Sequence, residues 1–392
     1  MFLDLLRRRN PAFLDAAIAL HQAGEIPGGC YVLDLDAVEA NARALRAEAD
    51  RLGVEIFAMT KQVGRNAPFI AAVGAGGIDR CVCVDMADAR AVVAAGAHVG
   101  HLGHLVQVPF AEADRAAAMA PDVWTVYSHD KAREAAAAAA RAGRRQPLLA
   151  RIVADGDTFY RNQEGGFDAG DAVAVARAID ALDGARFGGI TTFPALLYDA
   201  DARDVVPTPN LGTLERAAAE LRAAGFDVIV NGPGTTSVAV MPILAEHGVT
   251  QVEPGHGLTG TTALHLVRDL AELPAVAYLS EVSHHHGGQA FVFGSGYYID
   301  PIFPDYQVRA LVGRDLASAT EVDAELVPPS MIDYHAMLEQ PRPLATGETA
   351  LFGFRPQIFV TRALVAPIAG VASGAPRCAG VYAPDGHQVV WP

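Results

Sequence analysis

The chain has 392 residues, of which 51% are hydrophobic and 19% charged, and its formal net charge at pH 7 is −15. This composition supplies enough apolar material for a large domain plus a second module, and it excludes a disordered chain. The acidic balance argues against a nucleic-acid partner, because binding to phosphates requires a basic face.

The first 24 residues mix charges among apolar positions, which predicts an amphipathic helix rather than a signal peptide. No later run is long and apolar enough to suggest a membrane span, and we expect no membrane partner. The spacing of the cysteines does not match a zinc ribbon, and a reducing cytoplasm is the expected location. These cysteines are Cys30, Cys81, Cys83 and Cys378.

Short β-branched runs then alternate with alanine-rich stretches of helical spacing up to residue 257. Because each parallel crossover requires a helix, eight such repeats predict a (β/α)8 TIM-type barrel in the α/β class. A doubly wound sheet is the alternative, but the turn TKQVGRN lacks the GxGxxG pattern of that fold. The predicted strands are 56–59, 81–85, 99–105, 124–127, 149–153, 188–193, 228–231 and 251–253. The predicted helices are 88–96, 111–120, 131–142, 172–182 and 211–224.

After about residue 264 the pattern changes to strands separated by Gly, Pro and Asp, which predicts a mostly β C-terminal domain. A strand at 31–35, followed by a helix at 35–52, is expected to pair with this domain. The predicted C-terminal strands are 275–283, 289–293, 306–312, 349–352 and 357–367. The resulting segments are 1–35, a barrel at 36–265, and a C-terminal β domain at 266–392.

Lys61 follows the first predicted strand in FAMTKQVGRN, at the end of a strand where TIM barrels carry their active sites. The apolar residues before it place the amine beside a low-dielectric wall, which favours the neutral form that a Schiff base requires. An ordinary exposed lysine in a loop is the alternative.

Two further strand ends carry polar turns. Asn231 opens NGPGTTS, whose glycines and hydroxyls before a predicted helix indicate a phosphate cradle, with a plain turn as the alternative. Glu253 opens EPGHG after the eighth strand and is expected to point into the barrel mouth, with a surface loop as the alternative. A lysine, a phosphate turn and an acid at these three strand ends match the needs of pyridoxal 5'-phosphate (PLP).

The sequence resembles a known family at several motifs. YVLDLDAVEANARAL with FAMTKQVGRN resembles the opening of the alanine racemase N-terminal domain family, and VEPGHGLTG is similar to its eighth-strand segment and to that of the ornithine/diaminopimelate decarboxylases. GHLVQVP, RIVADGDTFYRNQEGGF and GFRPQIFVTRALV resemble the YhfX-type group of PLP proteins. The resemblance implies a fold-type III PLP enzyme and a homodimer whose active sites are completed across the interface. The cofactor-binding residues that follow are Lys61, Thr192, Asn231, Gly232, Gly234, Thr235, Thr236, Glu253, Gly255 and His256.

This chain departs from the racemases at two positions. They carry an arginine where this chain has Glu253, and a glutamate, unlike an arginine, keeps the ring nitrogen protonated, as in the decarboxylases. The histidine that packs on the cofactor ring in the racemases is also missing, so Thr192 or Phe193 is expected there. The partner subunit's catalytic tyrosine has three candidates in the β domain, namely Tyr297, Tyr298 and Tyr334.

The run His284–His286 could indicate a metal site. However, neighbouring residues on a strand point to alternate sides, so the three side chains cannot all face one ion. We therefore predict no metal, and His285 is expected as a second acid–base group, with packing or exposure as the alternative. The resemblance to the racemases implies that Arg161 and Gln163, in the loop after the fifth strand, approach the cofactor or the substrate carboxylate. Arg355 is a further predicted substrate contact, since an arginine fork suits a carboxylate, with a surface arginine as the alternative.

The first hypothesis for function is an amino-acid racemase, in which Lys61 exchanges the α-proton of an external aldimine formed by PLP and an amino acid or amino-acid-like substrate. The second is a PLP-dependent decarboxylase or lyase, for which Glu253 argues. The third is a non-catalytic PLP-binding protein that manages cofactor supply, against which the large β domain argues.

Overall fold

The computed structural model describes residues 1–303, 305–328, 331–340 and 343–391. The chain forms two compact units. The first comprises Met1–Asn41, Lys61–Gly76 and Leu258–Pro392, and the second comprises Ala42–Thr60 and Gly77–Gly257. Below they are called the β unit and the barrel unit. The domain boundaries taken from the sequence stay a prediction.

The described elements are given in chain order. The helices are α1 (Phe2–Arg9), α2 (Pro11–Gln22), α3 (Leu35–Leu52), α4 (Ala67–Ala75), α5 (Met86–Ala94), α6 (Ala113–Ala118), α7 (His129–Arg141), α8 (Ala172–Asp180), α9 (Pro209–Ala223) and α10 (Met241–Glu246). The strands up to the end of the barrel are β1 (Cys30–Asp34), β2 (Glu55–Ile56), β3 (Ala58–Met59), β4 (Arg80–Cys83), β5 (His98–Leu102), β6 (Val123–Val126), β7 (Gln146–Val153), β8 (Phe167–Asp168), β9 (Ala185–Thr191), β10 (Leu196–Asp199), β11 (Asp204–Pro207), β12 (Ile229–Asn231) and β13 (Gln251–Val252). The later strands are β14 (Val276–His286), β15 (Gln289–Phe293), β16 (Arg309–Gly313), β17 (Thr320–Glu325), β18 (His335–Leu338), β19 (Thr349–Phe352), β20 (Leu364–Ala369), β21 (Arg377–Cys378), β22 (Val381–Tyr382) and β23 (Gln388–Val389).

The barrel unit contains the predicted parallel barrel. Its strands follow the order β2-β13-β12-β9-β7-β6-β5-β4-β3. β2 and β3 are two halves of one strand that is broken at Phe57. Since β2 pairs with β13 and β3 pairs with β4, this strand closes the barrel. Phe57, Met59, Val82 and Leu149 belong to one buried apolar cluster of this barrel. The fold predicted from the sequence is therefore confirmed.

Side-chain caps turn the chain from strand to helix in this unit. The Asp85 carboxylate accepts the N–H of Asp88 at the start of α5, and the Ser128 hydroxyl accepts that of Lys131 at the start of α7. Each cap satisfies one of the N–H groups that a helix leaves unpaired in its first turn. The strand ends are thereby fixed, and these ends carry the polar residues described below.

The β unit contains a second, antiparallel closed sheet. The strands β14, β15, β18, β17, β16 and β19 pair in that order, and β19 pairs back to β14. The early strand β1 lies antiparallel to β14 and parallel to β20, the pairing with the C-terminal strands that the sequence suggested. A core of buried residues that includes Leu14, Val32 and Leu351 fills this unit.

The N-terminal segment differs from the single helix that was predicted. It forms α1 and α2, separated at Asn10. Pro11 opens α2, and proline suits a first helical position because its missing N–H would have no partner there. No helix among the described residues combines the length and hydropathy needed to cross a bilayer.

His265 gives the β unit a predicted dependence of stability on pH. Its side chain is fully buried, its Nδ1 lies 2.7 Å from the Thr262 hydroxyl, and its Nε2 lies 3.7 Å from the buried Glu272 carboxylate. Burial, followed by the positive charge of Arg9, lowers its pKa to about 4. The unfolded chain, with an ordinary histidine pKa of about 6.5, takes up this proton first as pH falls. The stabilisation is therefore present above that value and is lost as pH falls towards 4, by about 2 kcal/mol at pH 5.

Urea unfolding at pH 7 and pH 5 checks this prediction. Wild type should lose about 2 kcal/mol more than His265→Gln between the two pH values. The half-buried His247, which pairs with Glu215, provides the matched control, and His247→Gln should follow wild type. Equal losses in wild type and His265→Gln would show that the buried imidazole does not set the dependence.

Candidate functional site

A network of buried polar side chains joins the carboxyl ends of five barrel strands. Glu253, which directly follows β13, accepts hydrogen bonds on Oε1 from His101 Nδ1 at 2.5 Å and from Asn231 Nδ2 at 2.8 Å. On one side the Thr191 hydroxyl donates to Asn231 Oδ1 at 2.6 Å. On the other side Thr125 Oγ1 lies 2.6 Å from His101 Nε2. Glu253 thus stands at the centre of a continuous hydrogen-bonded chain.

This network defines the protonation of its members. Glu253 accepts from Nδ1 of His101, so that nitrogen carries the hydrogen, and in the neutral ring Nε2 accepts from the Thr125 hydroxyl. Burial raises the pKa of Glu253, but the positive charge that the His101 and His104 rings carry when protonated, together with the hydrogen bonds from His101 and Asn231, outweighs it, so the pKa lies below its ordinary value. Glu253 is therefore a buried, ionised carboxylate at neutral pH.

The second carboxylate oxygen of Glu253 is the chemically open position. Oε2 is buried and makes no hydrogen bond within the part of the chain that the structure describes, although His104 Nδ1 lies 3.5 Å away. Leaving a buried charged acceptor without a donor costs free energy. A ligand that donates an N–H or O–H to this oxygen would remove that cost.

His101 and His104 were not identified from the sequence. They lie in the predicted third strand and its end, in GHLGHL, and both are buried. The ring of His104 approaches the ring of Phe193 edge-on, with 5.6 Å between the two centroids. Thr192 is buried beside Phe193 and lies 3.3 Å from Asn210 Nδ2. Both histidines interrupt a predicted apolar strand, and this interruption could have marked them as candidate site residues.

The predicted phosphate turn follows β12. A Cβ on Gly234 would lie 2.8 Å from the backbone nitrogen of Leu196, and a Cβ on Gly257 would lie 2.5 Å from the carbonyl oxygen of Thr236. Only glycine therefore fits at either position without a shift of the backbone. Ser237 is buried, and its hydroxyl has no hydrogen-bond partner among the described residues.

The turn after β12 does not feed directly into a helix whose N-terminus favours an anion, as was predicted. Instead, α10 has six residues and begins at Met241, beyond the turn. The residues available for an anion are therefore the turn amides and hydroxyls, and the predicted contacts Gly232, Thr235, Gly255 and His256 stay predictions.

A buried arginine fixes the loop after the fifth barrel strand. Arg151 on β7 donates to the Tyr127 hydroxyl and to the main-chain carbonyl of Gln163, both at 2.6 Å. Arg161, which was predicted to contact the substrate, is exposed, whereas Arg151 is only 1% exposed. The sequence analysis missed Arg151, although an arginine inside LLARIV is an evident exception to an apolar strand.

The chain contains only two lysines, Lys61 and Lys131. Lys131 on α7 forms an ion pair with Glu134 at 2.6 Å and donates to the Val108 carbonyl. Lys61 opens a 3₁₀ turn two residues after β3, and its Nζ lies 5.2 Å from the centroid of the Phe359 ring within the β unit. Of the two lysines, Lys61 is the one that follows a barrel strand, whereas Lys131 lies on a helix.

The tyrosines and arginine predicted from the β domain have structural surroundings. Tyr297 donates to the Phe293 carbonyl at 2.9 Å and packs 5.0 Å from the Tyr278 ring. Burial raises the pKa of Tyr298, as does the neighbouring Asp300. Arg355 forms an ion pair with that Asp300, which occupies one side of its guanidinium.

The histidine run lies at the end of β14, and His284, His285 and His286 are all exposed. The one group of metal-type ligands among the described residues lies elsewhere. It comprises His101, His104 and Glu253, whose ligand atoms lie within 4.8 Å of one another. Because both nitrogens of His101 already have hydrogen-bond partners, this geometry favours a hydrogen-bonded network over a metal centre.

Comparisons with known proteins agree with this architecture. Residues 33–263 match the family model "Alanine racemase, N-terminal domain", and residues 277–378 match "YhfX-like, C-terminal domain". Over 99% of the chain and 100% of the relative, the sequence is 39% identical to the protein named "Uncharacterized protein YhfX" of Escherichia coli K12.

Solved structures show the same fold at low sequence identity. A D-threonine aldolase from Filomicrobium marinum has a TM-score of 0.67 at 20% identity, covering 92% of this chain and 95% of its own. A D-threo-3-hydroxyaspartate dehydratase from Delftia sp. HT23 has a TM-score of 0.64 at 19% identity, covering 90% and 97%. An alanine racemase from Clostridium difficile 630 has a TM-score of 0.64 at 15% identity, covering 92% and 99%. The chain belongs to the alanine racemase N-terminal domain family, the fold-type III PLP family, with a C-terminal domain of the YhfX-like type.

Proposed function

We propose that this protein is a PLP-dependent enzyme that breaks a bond to the α-carbon of an amino acid or amino-acid-like substrate. The observation that carries the proposal is the buried, ionised carboxylate of Glu253, with its open oxygen Oε2, at the end of the eighth barrel strand. Membership of a family whose members use PLP supports it.

The residues present fit this cofactor. The open oxygen of Glu253 suits the N–H of a protonated pyridine, and the buried Ser237 hydroxyl suits a phosphate oxygen. When bound, PLP withdraws electrons from the α-carbon of its substrate. In the proposal Lys61 holds the cofactor and accepts or returns a proton at its Nζ, the turn from Gly232 to Ser237 binds the phosphate, and Glu253 holds the proton on the ring nitrogen.

Two reactions are compatible with these roles. Racemisation requires a second acid–base group opposite Lys61, and Tyr297, the first candidate, is engaged by a carbonyl and by aromatic packing. Decarboxylation or lyase chemistry requires a strong electron sink, which an ionised partner of the ring nitrogen supports. The surroundings of Glu253 therefore favour a lyase or decarboxylase over a racemase.

Proton exchange in deuterated water tests the proposal. The PLP-loaded protein is incubated with pools of L- and D-amino acids and followed by NMR and chiral chromatography. Conversion to an amine, aldehyde or keto product would support a lyase or decarboxylase, and deuterium incorporation with inversion would support a racemase. A protein that binds PLP without reacting across a broad panel would count against an enzyme and for cofactor supply.

We also propose that the protein forms a homodimer through the segment that contains Met331, Ile332 and Tyr334. These large hydrophobic side chains are 60%, 62% and 63% exposed, and several exposed apolar side chains within one short segment suit an interaction surface. In sedimentation experiments Ile332→Asp should raise the dimer dissociation constant about tenfold or more. Val93→Asp, at an isolated exposed position on α5, should leave it unchanged, and a monomeric wild type would contradict the proposal.

A further inference from the structure

The barrel network assigns a role to a residue that neither the motifs nor the resemblance singled out. We propose that His101 is a positioning residue: it fixes Oε1 of Glu253 and leaves Oε2 as a charged acceptor, so that the protein binds PLP with its ring nitrogen protonated. This inference rests on the proposed PLP function and extends it to the charge state of the cofactor.

The two carboxylate oxygens of Glu253 differ in their hydrogen bonds. Oε1 accepts hydrogen bonds from His101 and Asn231, whereas Oε2 accepts none from the described residues. The carboxylate therefore cannot turn to offer Oε1 to a ligand without breaking both bonds. A ligand that donates a hydrogen bond meets Oε2.

The same hydrogen bonds favour the charged form of Glu253. Glu253 is 4% exposed, so without donors its carboxylate would tend to take up a proton. Hydrogen bonds from an imidazole N–H and an amide N–H favour the ionised form. An ionised carboxylate stabilises a neighbouring pyridinium, whereas a protonated carboxyl group would donate to an unprotonated ring instead.

Thr125 holds the His101 ring from its other nitrogen. A hydroxyl can donate or accept, so Thr125 satisfies Nε2 in either protonation state, and Nδ1, which faces Glu253, keeps its hydrogen. Thr125 and His101 lie on the adjacent strands β6 and β5, so the barrel itself fixes the pair. The arrangement resembles the outer contacts that orient ligands in metal sites.

The experiment uses PLP labelled with ¹⁵N in the ring, bound to the full-length protein at neutral pH. The nitrogen chemical shift should report a protonated ring in wild type and an unprotonated ring in Glu253→Gln. His101→Leu, which removes the donor, should shift the protonation equilibrium about tenfold or more, equivalent to one pKa unit. His101→Gln retains a neutral donor and should restore the wild-type shift, which a purely steric role for His101 would not explain.

The outcomes separate this inference from the proposed function. A protein that does not bind labelled PLP would overturn the proposed function itself. Bound PLP with an unprotonated ring nitrogen in wild type would overturn only the inference, and this result does not depend on whether the variants fold. Stoichiometric zinc in the wild-type protein, lost in Glu253→Gln, would also overturn it, because a cation on Oε2 would exclude the ring nitrogen.

Discussion

Lys61→Ala is expected to abolish the yellow absorption of the PLP-loaded protein and to lower turnover about 1000-fold or more. The variant removes both the amine that holds the cofactor and the group proposed to transfer the α-proton, and each role alone contributes a large factor. Absorption spectroscopy after gel filtration and the proton-exchange assay measure the two effects separately.

Lys131, the second lysine of the chain, provides the matched control for Lys61→Ala. Lys131→Ala removes the only other ε-amine and breaks an ion pair on the surface of α7. Such a partly exposed pair contributes little to stability, so this variant should keep its colour and its activity. Loss of the yellow band in Lys131→Ala with retention in Lys61→Ala would reverse the assignment.

Glu253→Gln is expected to retain bound PLP through Lys61 but to lower turnover about 100- to 1000-fold. The amide has nearly the shape of the carboxylate and can still accept from His101 on its oxygen, but it carries no charge for the ring nitrogen. Losses of this size are typical when one preorganised electrostatic partner is removed from an active site. Steady-state kinetics on the substrate found by the exchange panel would measure the loss.

The matched control for this variant is Glu215→Gln, which removes a carboxylate paired with the surface residue His247. It should leave turnover unchanged. If Glu253→Gln turned over as fast as wild type, the ring nitrogen would not depend on this carboxylate, and a lyase or decarboxylase would lose its main structural support.

The barrel could be predicted from the sequence because its signal is local. Most barrel strands are short apolar runs, α4, α5 and α7 begin with side-chain caps, and the predicted helix at 35–52 coincides with α3 (Leu35–Leu52). The strands β17 and β18 were missed because one of them, TEVDAE, alternates charged with apolar residues on a partly exposed surface. The hairpin β10–β11 was missed because it interrupts the strand–helix rhythm after β9.

The site was predicted only in part, for a different reason. Lys61, Asn231 and Glu253 stand at strand ends and could be found by position. His101, Thr125 and Thr191 acquire meaning only through partners on other strands, up to 152 residues away in the case of His101 and Glu253. Their contribution depends on the closure of the barrel, which no single stretch of sequence encodes.

The central claim is that Lys61 holds PLP, and chemical trapping tests it most directly. The PLP-loaded protein is reduced with borohydride, digested, and mapped by mass spectrometry. One pyridoxyl adduct is expected, on the peptide that contains Lys61. An adduct on Lys131 or on the amino group of Met1, or no adduct from a protein that binds PLP, would contradict it.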